Sequence, residues 1–346
     1  MEKFAIITFP NSDDKVVERT GVLGKLSRKI VELYTYIRGP RLVDTVIDRK
    51  SKVELGKIYN IPTLHYNKSG LVFDDRKRQI KLLIKELHEN NIGILSGPFI
   101  ANILDREDVI EFNKNGIEVL DPSFFQICTL YSCFPELLKI LNKQIPYMDV
   151  GIWRADTELG EAWVHMFAPY LNSMTIGGKD LDILYRISDR VLRETGLACE
   201  VTTSFEKCLE GKDISVMTEE TDLAIFKDMI TILSYPKNVK SLNDIDNPFV
   251  FYSGLLELPC EPVLDVDLDI WECLALSHSL LYILSGSYRK LTNEVTLNIE
   301  SLENFLQMIR SYPLSKKGLV NNYETITYDR FRMIYFNDRS IDIKVG

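Results

Sequence analysis

Two groups of residues have the types and spacing that chemistry needs. The first is Arg154-Ala155-Asp156-Thr157-Glu158-Leu159-Gly160, a turn between an apolar run, Asp149 to Trp153, and a helical pattern. Strand, tight turn and helix in that order build the pyrophosphate site of dinucleotide-binding folds. The helix N-terminus offers unpaired N–H groups and a favourable dipole to an anion. In the fingerprint G-x-G-x-x-G the first glycine permits the turn and the second lets the backbone approach the pyrophosphate. The third lets helix pack on strand. Lys179 follows the next strand, where a basic residue can accept a 2′-phosphate, or simply stand on the surface at a helix start. The second group is Ser277-His278-Ser279, a histidine between hydroxyls. His278 is a candidate acid/base, although a histidine there also suits the core. Ser277 and Ser279 flank His278, but adjacent helix residues point in different directions, so the three form no triad.

The elements that must position the first group are legible. Strands are predicted at Asp149–Trp153, Ser173–Ile176, Cys199–Thr202 and Asp213–Met217. Helices are predicted at Glu158–Leu171, Leu181–Thr195 and Ser204–Leu209. This β-α-β-α-β order is that of a mononucleotide-binding half. Upstream, strands are expected at Phe4–Phe9, Arg41–Asp48, Lys52–Ile58, Ile92–Leu95 and Gly116–Leu120. Helices are expected at Val16–Val31, Asp74–Asn90, Pro122–Leu141 and Ile299–Tyr312. The fold class is therefore α/β with two domains. A smaller N-terminal α/β domain spans 1–145, and a Rossmann-type doubly wound parallel sheet spans 146–290. Residues 291–346 are expected to pack back on the first domain.

Composition narrows the function. With 346 residues the chain exceeds one ordinary core. A net charge of −9 argues against a nucleic-acid partner, which needs a basic footprint. The Arg76-Lys77-Arg78 run reads as a solvated helix face. No stretch approaches eighteen apolar residues, so a cytoplasmic protein with no membrane span is expected. The six cysteines form no C-x-x-C pair and the four histidines are scattered, so no metal is expected. Asp265, Asp267 and Asp269 alternate as acids on a strand edge would. Trp153 and Trp163 flank the loop, either filling nucleotide space or packing the core.

Several segments resemble the cyanobacterial long-chain acyl-[acyl carrier protein] reductases, grouped with predicted amino-acid dehydrogenases. Shikimate dehydrogenase and glutamyl-tRNA reductase are relatives of that family. The segments are VELGKIY (Val53–Tyr59), HENNIGILSGPF (His88–Phe99), Thr175–Arg186 and CEVTTSFEKCLEGKD (Cys199–Asp213). SYPKNV (Ser234–Val239), YSGLLE (Tyr252–Glu257) and ECLALSHSLLYILSG (Glu272–Gly286) complete the set. The resemblance implies reduction of an acyl thioester to an aldehyde with NADPH, through a cysteine thioester, with Cys273 the candidate nucleophile on the last of these segments.

The departures from that family matter as much as the likeness. Its loop reads G-A-T-G-x-x-G, so Arg154 and Thr157 stand where the first two glycines would be, and only Gly160 remains. Asp156 and Glu158 are expected at the helix N-terminus, where carboxylates occupy the place of a phosphate. Counting back from Gly286, Ala275 takes the nucleophile's place and His278 that of a neighbouring glutamate. Cys273 lies two residues earlier, facing nearly away unless the register shifts locally.

Candidate cofactor residues are Arg154, Ala155, Thr157, Gly160, Lys179 and Thr218, and the catalytic candidates are Cys273 and His278. Two functions follow. One is a divergent relative with lost or weakened NADP or NAD binding that acts by binding a partner protein or a carrier-bound or small-molecule ligand. The alternative is an active NAD(P)H-dependent oxidoreductase. A homo-oligomer fits either.

Overall fold

The structure is a computed structural model that describes residues 3–8, 39–61, 76–98, 100, 104–120, 122–219, 230–234, 249–257, 260–285, 306–307, 316–321 and 324–334. The helix expected at Val16–Val31, most of Ser234–Val239 and most of Ile299–Tyr312 lie outside the described residues.

Two α/β units make up the chain, Met1–Pro122 with Leu258–Val295 and Ser123–Glu257 with Thr296–Gly346. The first begins with β1 (Lys3–Thr8), β2 (Arg41–Asp48), β3 (Glu54–Asn60), α1 (Arg76–Glu89), β4 (Ile92–Ser96), α2 (Arg106–Lys114) and β5 (Glu118–Val119). At the boundary α3 (Pro122–Leu141) opens the second unit. There follow β6 (Asp149–Trp153), α4 (Glu158–Phe167), β7 (Ser173–Gly177), α5 (Leu181–Thr195), β8 (Glu200–Thr202) and α6 (Phe205–Leu209). Next come β9 (Ile214–Met217), β10 (Ile230–Leu233), β11 (Val250–Phe251) and β12 (Ser253–Leu256). Then β13 (Pro262–Val263) and α7 (Ile270–Ser285) return to the first unit, and β14 (Lys316–Asn321) and β15 (Glu324–Thr327) to the second.

The first unit's sheet runs β13-β2-β3-β1-β4-β5. Its β3, β1, β4 and β5 are parallel, while β2 and β13 add antiparallel. Strand periodicity of two sends alternate side chains of β1 to opposite faces. Ala5 and Ile7 bury against Ile80, Leu83 and Leu87 of α1 and Phe112 of α2. Phe4 and Ile6 bury against Ala275, Leu276 and Leu280 of α7. Helix α7 is thus the second cover of this sheet. It was expected in the Rossmann domain, and its apolar positions instead complete the core around Ile58 and Ile94. The break expected at 145 falls correspondingly at the start of α3.

The second unit carries a sheet in the order β11-β10-β9-β6-β7-β8 with every pair parallel. Counted from β6, that is 3-2-1-4-5-6 read from the β8 edge, the order of a Rossmann fold. A small antiparallel sheet, β12-β14-β15, completes this unit. The chain end was expected to pack on the first domain, but β14 pairs with β12. That strand lies close against α3, where Thr129 Oγ1 and Ser253 Oγ are 3.1 Å apart.

Candidate functional site

The order in which strands are added reverses between β6 and β9, which lie side by side and parallel in the sheet. In open α/β sheets this switch point, at the C-terminal ends of the strands, is where ligands bind. All six candidate cofactor residues gather there. Arg154 leaves β6 with φ +60°, in the left-handed region. A non-glycine residue there bears a strain of about 1 kcal/mol. The turn that the first glycine serves is therefore kept without the glycine. Ala155 is fully buried and its N–H donates to Gly177 O at 2.8 Å, tying the loop to β7.

Thr157 caps α4, its hydroxyl accepting from Gly160 N at 3.2 Å and donating to Arg154 O at 2.7 Å. Thr218, just past β9, donates to Trp153 O at 3.2 Å and lies 3.4 Å from the Thr157 hydroxyl. A Cβ on Gly160 would stand 2.1 Å from Arg154 O, so this glycine lets helix meet strand. Its retained role is structural, as its position in the loop suggests.

An ion cluster closes the mouth of the loop. The Arg154 guanidinium donates from Nε to Asp156 at 2.8 Å and pairs through a terminal nitrogen with Glu219. Lys179 Nζ reaches the same Glu219 carboxylate at 3.1 Å. The Asp156 carboxylate, 4% exposed, also accepts from Lys179 N at 3.0 Å and Asp180 N at 3.1 Å. Burial pushes the Asp156 carboxyl up, but Arg154 and those two N–H groups outweigh it and hold its pKa below 3.8. Burial likewise opposes the charge on Arg154, and the carboxylates of Asp156 and Glu219 more than restore it.

This corrects one expectation. Asp156 does not occupy the N-terminus of α4; it turns toward the start of α5 and binds the chain there. Glu158 does sit in the first turn of α4, exposed. Glu219 was missed by sequence reasoning. An acid two residues past the fourth strand of a Rossmann order was the signal that could have found it.

Magnitudes decide what the cluster implies. A dinucleotide held at a micromolar Kd is bound by about 8 kcal/mol. Breaking a partly buried ion pair to admit its phosphates costs about 3–5 kcal/mol. The remainder corresponds to roughly millimolar binding. Beside the cluster lies a groove of about 530 Å³ lined by Arg154, Asp156, Lys179, Asp180 and Asp182. Its two cations are already neutralised by Asp156 and Glu219.

Cys273 and His278 lie on α7, in the first unit. The helix separates them: Cys273 is exposed and His278 is buried. Burial pushes the His278 pKa down to about 3, so the imidazole is neutral near pH 7 and too weak a base for proton transfer there. Ala275, at the nucleophile's place by resemblance, is fully buried in the core. The hydroxyls of Ser277 and Ser279 donate to carbonyls four residues back.

Other candidates resolve into structure. Asp265, Asp267 and Asp269 lie on no strand; Asp269 instead accepts from Trp271 N at 3.0 Å and Glu272 N at 2.9 Å at the start of α7. Trp153 packs edge-on against Phe205, with centroids 5.3 Å apart. Trp163 is buried on Phe167, and its Nε1 donates to Ser234 Oγ at 2.7 Å. Lys77 and Arg78 of the basic run are exposed on α1. Among the described residues no cluster of three His, Cys, Asp or Glu could hold a metal ion, and no helix is long and apolar enough to cross a membrane.

No protein-family profile matches the chain, and no curated protein matches it. Among solved structures the chain is similar to L-tryptophan dehydrogenase from Nostoc punctiforme, at 10% identity and TM-score 0.39 over 100% of this chain and 90% of that one. It is similar to quinate dehydrogenase from Corynebacterium glutamicum in complex with NAD, at 10% identity and TM-score 0.33 over 97% and 99%. It is also similar to ornithine carbamoyltransferase from Pyrococcus furiosus, at 9% identity and TM-score 0.33 over 72% and 78%.

Proposed function

We propose that this protein is a divergent relative of the Rossmann-fold NAD(P)H-dependent acyl-thioester reductases and amino-acid dehydrogenases. In this reading it has lost or weakened ordinary dinucleotide binding, and it works by binding a partner protein or a small ligand. One observation carries the reading: the side chains of Arg154, Asp156, Lys179 and Glu219 satisfy one another at the switch point where a pyrophosphate would sit. The Cβ atoms of Arg154 and Thr157 add bulk where two glycines would give a ligand access to the backbone.

A second reading keeps an active NAD(P)H-dependent reductase, with Arg154 and Lys179 holding phosphates and Cys273 or His278 doing chemistry. It is favoured by Lys179, which stands exposed beyond the second strand of the Rossmann order.

Thermal unfolding separates the two. A ligand present at 100 times its Kd stabilises the native state by about 2.7 kcal/mol. Nucleotides bound at about 10 μM and supplied at about 1 mM would therefore raise Tm by several degrees. We expect no shift with NAD, NADH, NADP or NADPH. A rise of several degrees with any of them, together with turnover of an acyl thioester that Cys273→Ala abolishes, would establish the second reading instead.

A further inference from the structure

Helix α5 is amphipathic in an unusual way. Leu184, Ile187 and Val191 are buried and attach it to its unit. Its outward face carries Leu181, Tyr185 and Leu192, exposed by 43%, 56% and 48%. At 100° per residue, offsets of four and eleven residues place these three side chains within about 40° of one another. They form one apolar stripe, with Ser188 completing the 4-3-4 spacing of a helix-packing seam.

A charged row runs beside the stripe with the same spacing: Asp182, Arg186, Asp189, Arg193. Its signs alternate. Among the described residues none of the four has an ion-pair partner; Arg186 and Arg193 donate from Nε to the main-chain carbonyls of Asp182 and Asp189, at 3.3 and 3.2 Å. In an isolated helix the i, i+4 pairs Asp182–Arg186 and Asp189–Arg193 would be the obvious partners. Here both guanidinium groups are folded onto the backbone instead.

We propose that the chain self-associates through α5, two copies packing antiparallel about a two-fold axis near Ile187 and Ser188. The row itself selects that partner and that direction. Turned end for end, it sets Asp182 against Arg193 and Arg186 against Asp189 of the second copy, each pair occurring twice by symmetry. The apolar stripe then meets its own copy, with Leu181 near Leu192. In a parallel two-fold pair the two rows would lie on opposite flanks of the contact and could not pair. A helix of fifteen residues is roughly 22 Å long, so the contact is smaller than the 1,200 Å² or so of a standard interface. Association is accordingly modest, with a Kd of about 10 μM.

Sedimentation velocity on the full chain, with circular dichroism to confirm folding, tests this. The wild type is expected to dimerise reversibly at about 10–100 μM. Asp182→Arg alone and Arg193→Asp alone each oppose like charges and are expected to be monomeric over that range. Mixed in equal amounts, the two variants regain the dimer, because every reversed residue then meets its complement. Leu192→Glu, made twice per dimer, is expected to weaken association roughly a hundredfold. A wild type that stays monomeric at about 100 μM overturns the proposal. So does a dimer indifferent to these substitutions, or a mixture that fails to reassociate.

Discussion

Gly160→Ala is expected to cost the Rossmann-type unit about 3 kcal/mol or more, because the added methyl has nowhere to go. Its Cβ would lie 2.1 Å from Arg154 O and 2.7 Å from Ala155 Cα, both backbone atoms. Neither can swing aside as a side chain would. Arg154 O accepts from the N–H and hydroxyl of Thr157, and Ala155 N donates to β7. Relief therefore requires α4 to lift from β6. Lifting it disturbs Trp163 and Phe167, which that helix buries. Urea unfolding followed by tryptophan fluorescence measures the loss. A midpoint within about 0.5 kcal/mol of wild type would show that the loop is loose and that Gly160 does not hold strand and helix together.

The second large effect is at Asp156, where Asp156→Ala is expected to cost about 2–3 kcal/mol at pH 7. The substitution strands the main-chain N–H groups of Lys179 and Asp180 and removes one of the two carboxylates that Arg154 meets. The sign of the pH dependence follows from the lowered pKa of Asp156. A carboxyl whose folded pKa lies below its unfolded value stabilises fully above the unfolded value, and the contribution is lost as pH falls through the folded one. The stability gap between wild type and variant should hold from about pH 7 to 5 and then shrink below about pH 4. Asp156→Asn keeps one acceptor oxygen for those N–H groups and should fall between the two. A gap that does not change with pH would mean that Asp156 acts through packing alone.

Much of the Rossmann-type unit is legible in the sequence because its signals are local and agree with one another. Asp149–Trp153 and Leu181–Thr195 are read to the residue. The first is an apolar run stopped by a polar turn. The second is opened by the Asp180 cap and closed by Gly196 in the left-handed region. The place of α7 is not legible, since an apolar helix advertises burial but not which sheet it covers. Ala275 and Leu280 would look the same under either sheet. At the site, the unusual loop residues are visible but their partners are not. That Asp156 turns toward α5 depends on where β7 ends. That Glu219 closes the cluster depends on β9 lying beside β6, a neighbour relation that no local pattern encodes.

The most direct measurement is a titration of the purified protein with NADPH, followed by energy transfer from its tryptophans and by calorimetry. Trp153 ends β6, directly beside Arg154, so a nicotinamide cofactor seated at the switch point would quench it. The internal ion cluster predicts no saturable signal up to about 1 mM. A saturable signal with a micromolar Kd would contradict the account, for it would mean that the cluster opens at little cost and that the loop still holds a dinucleotide.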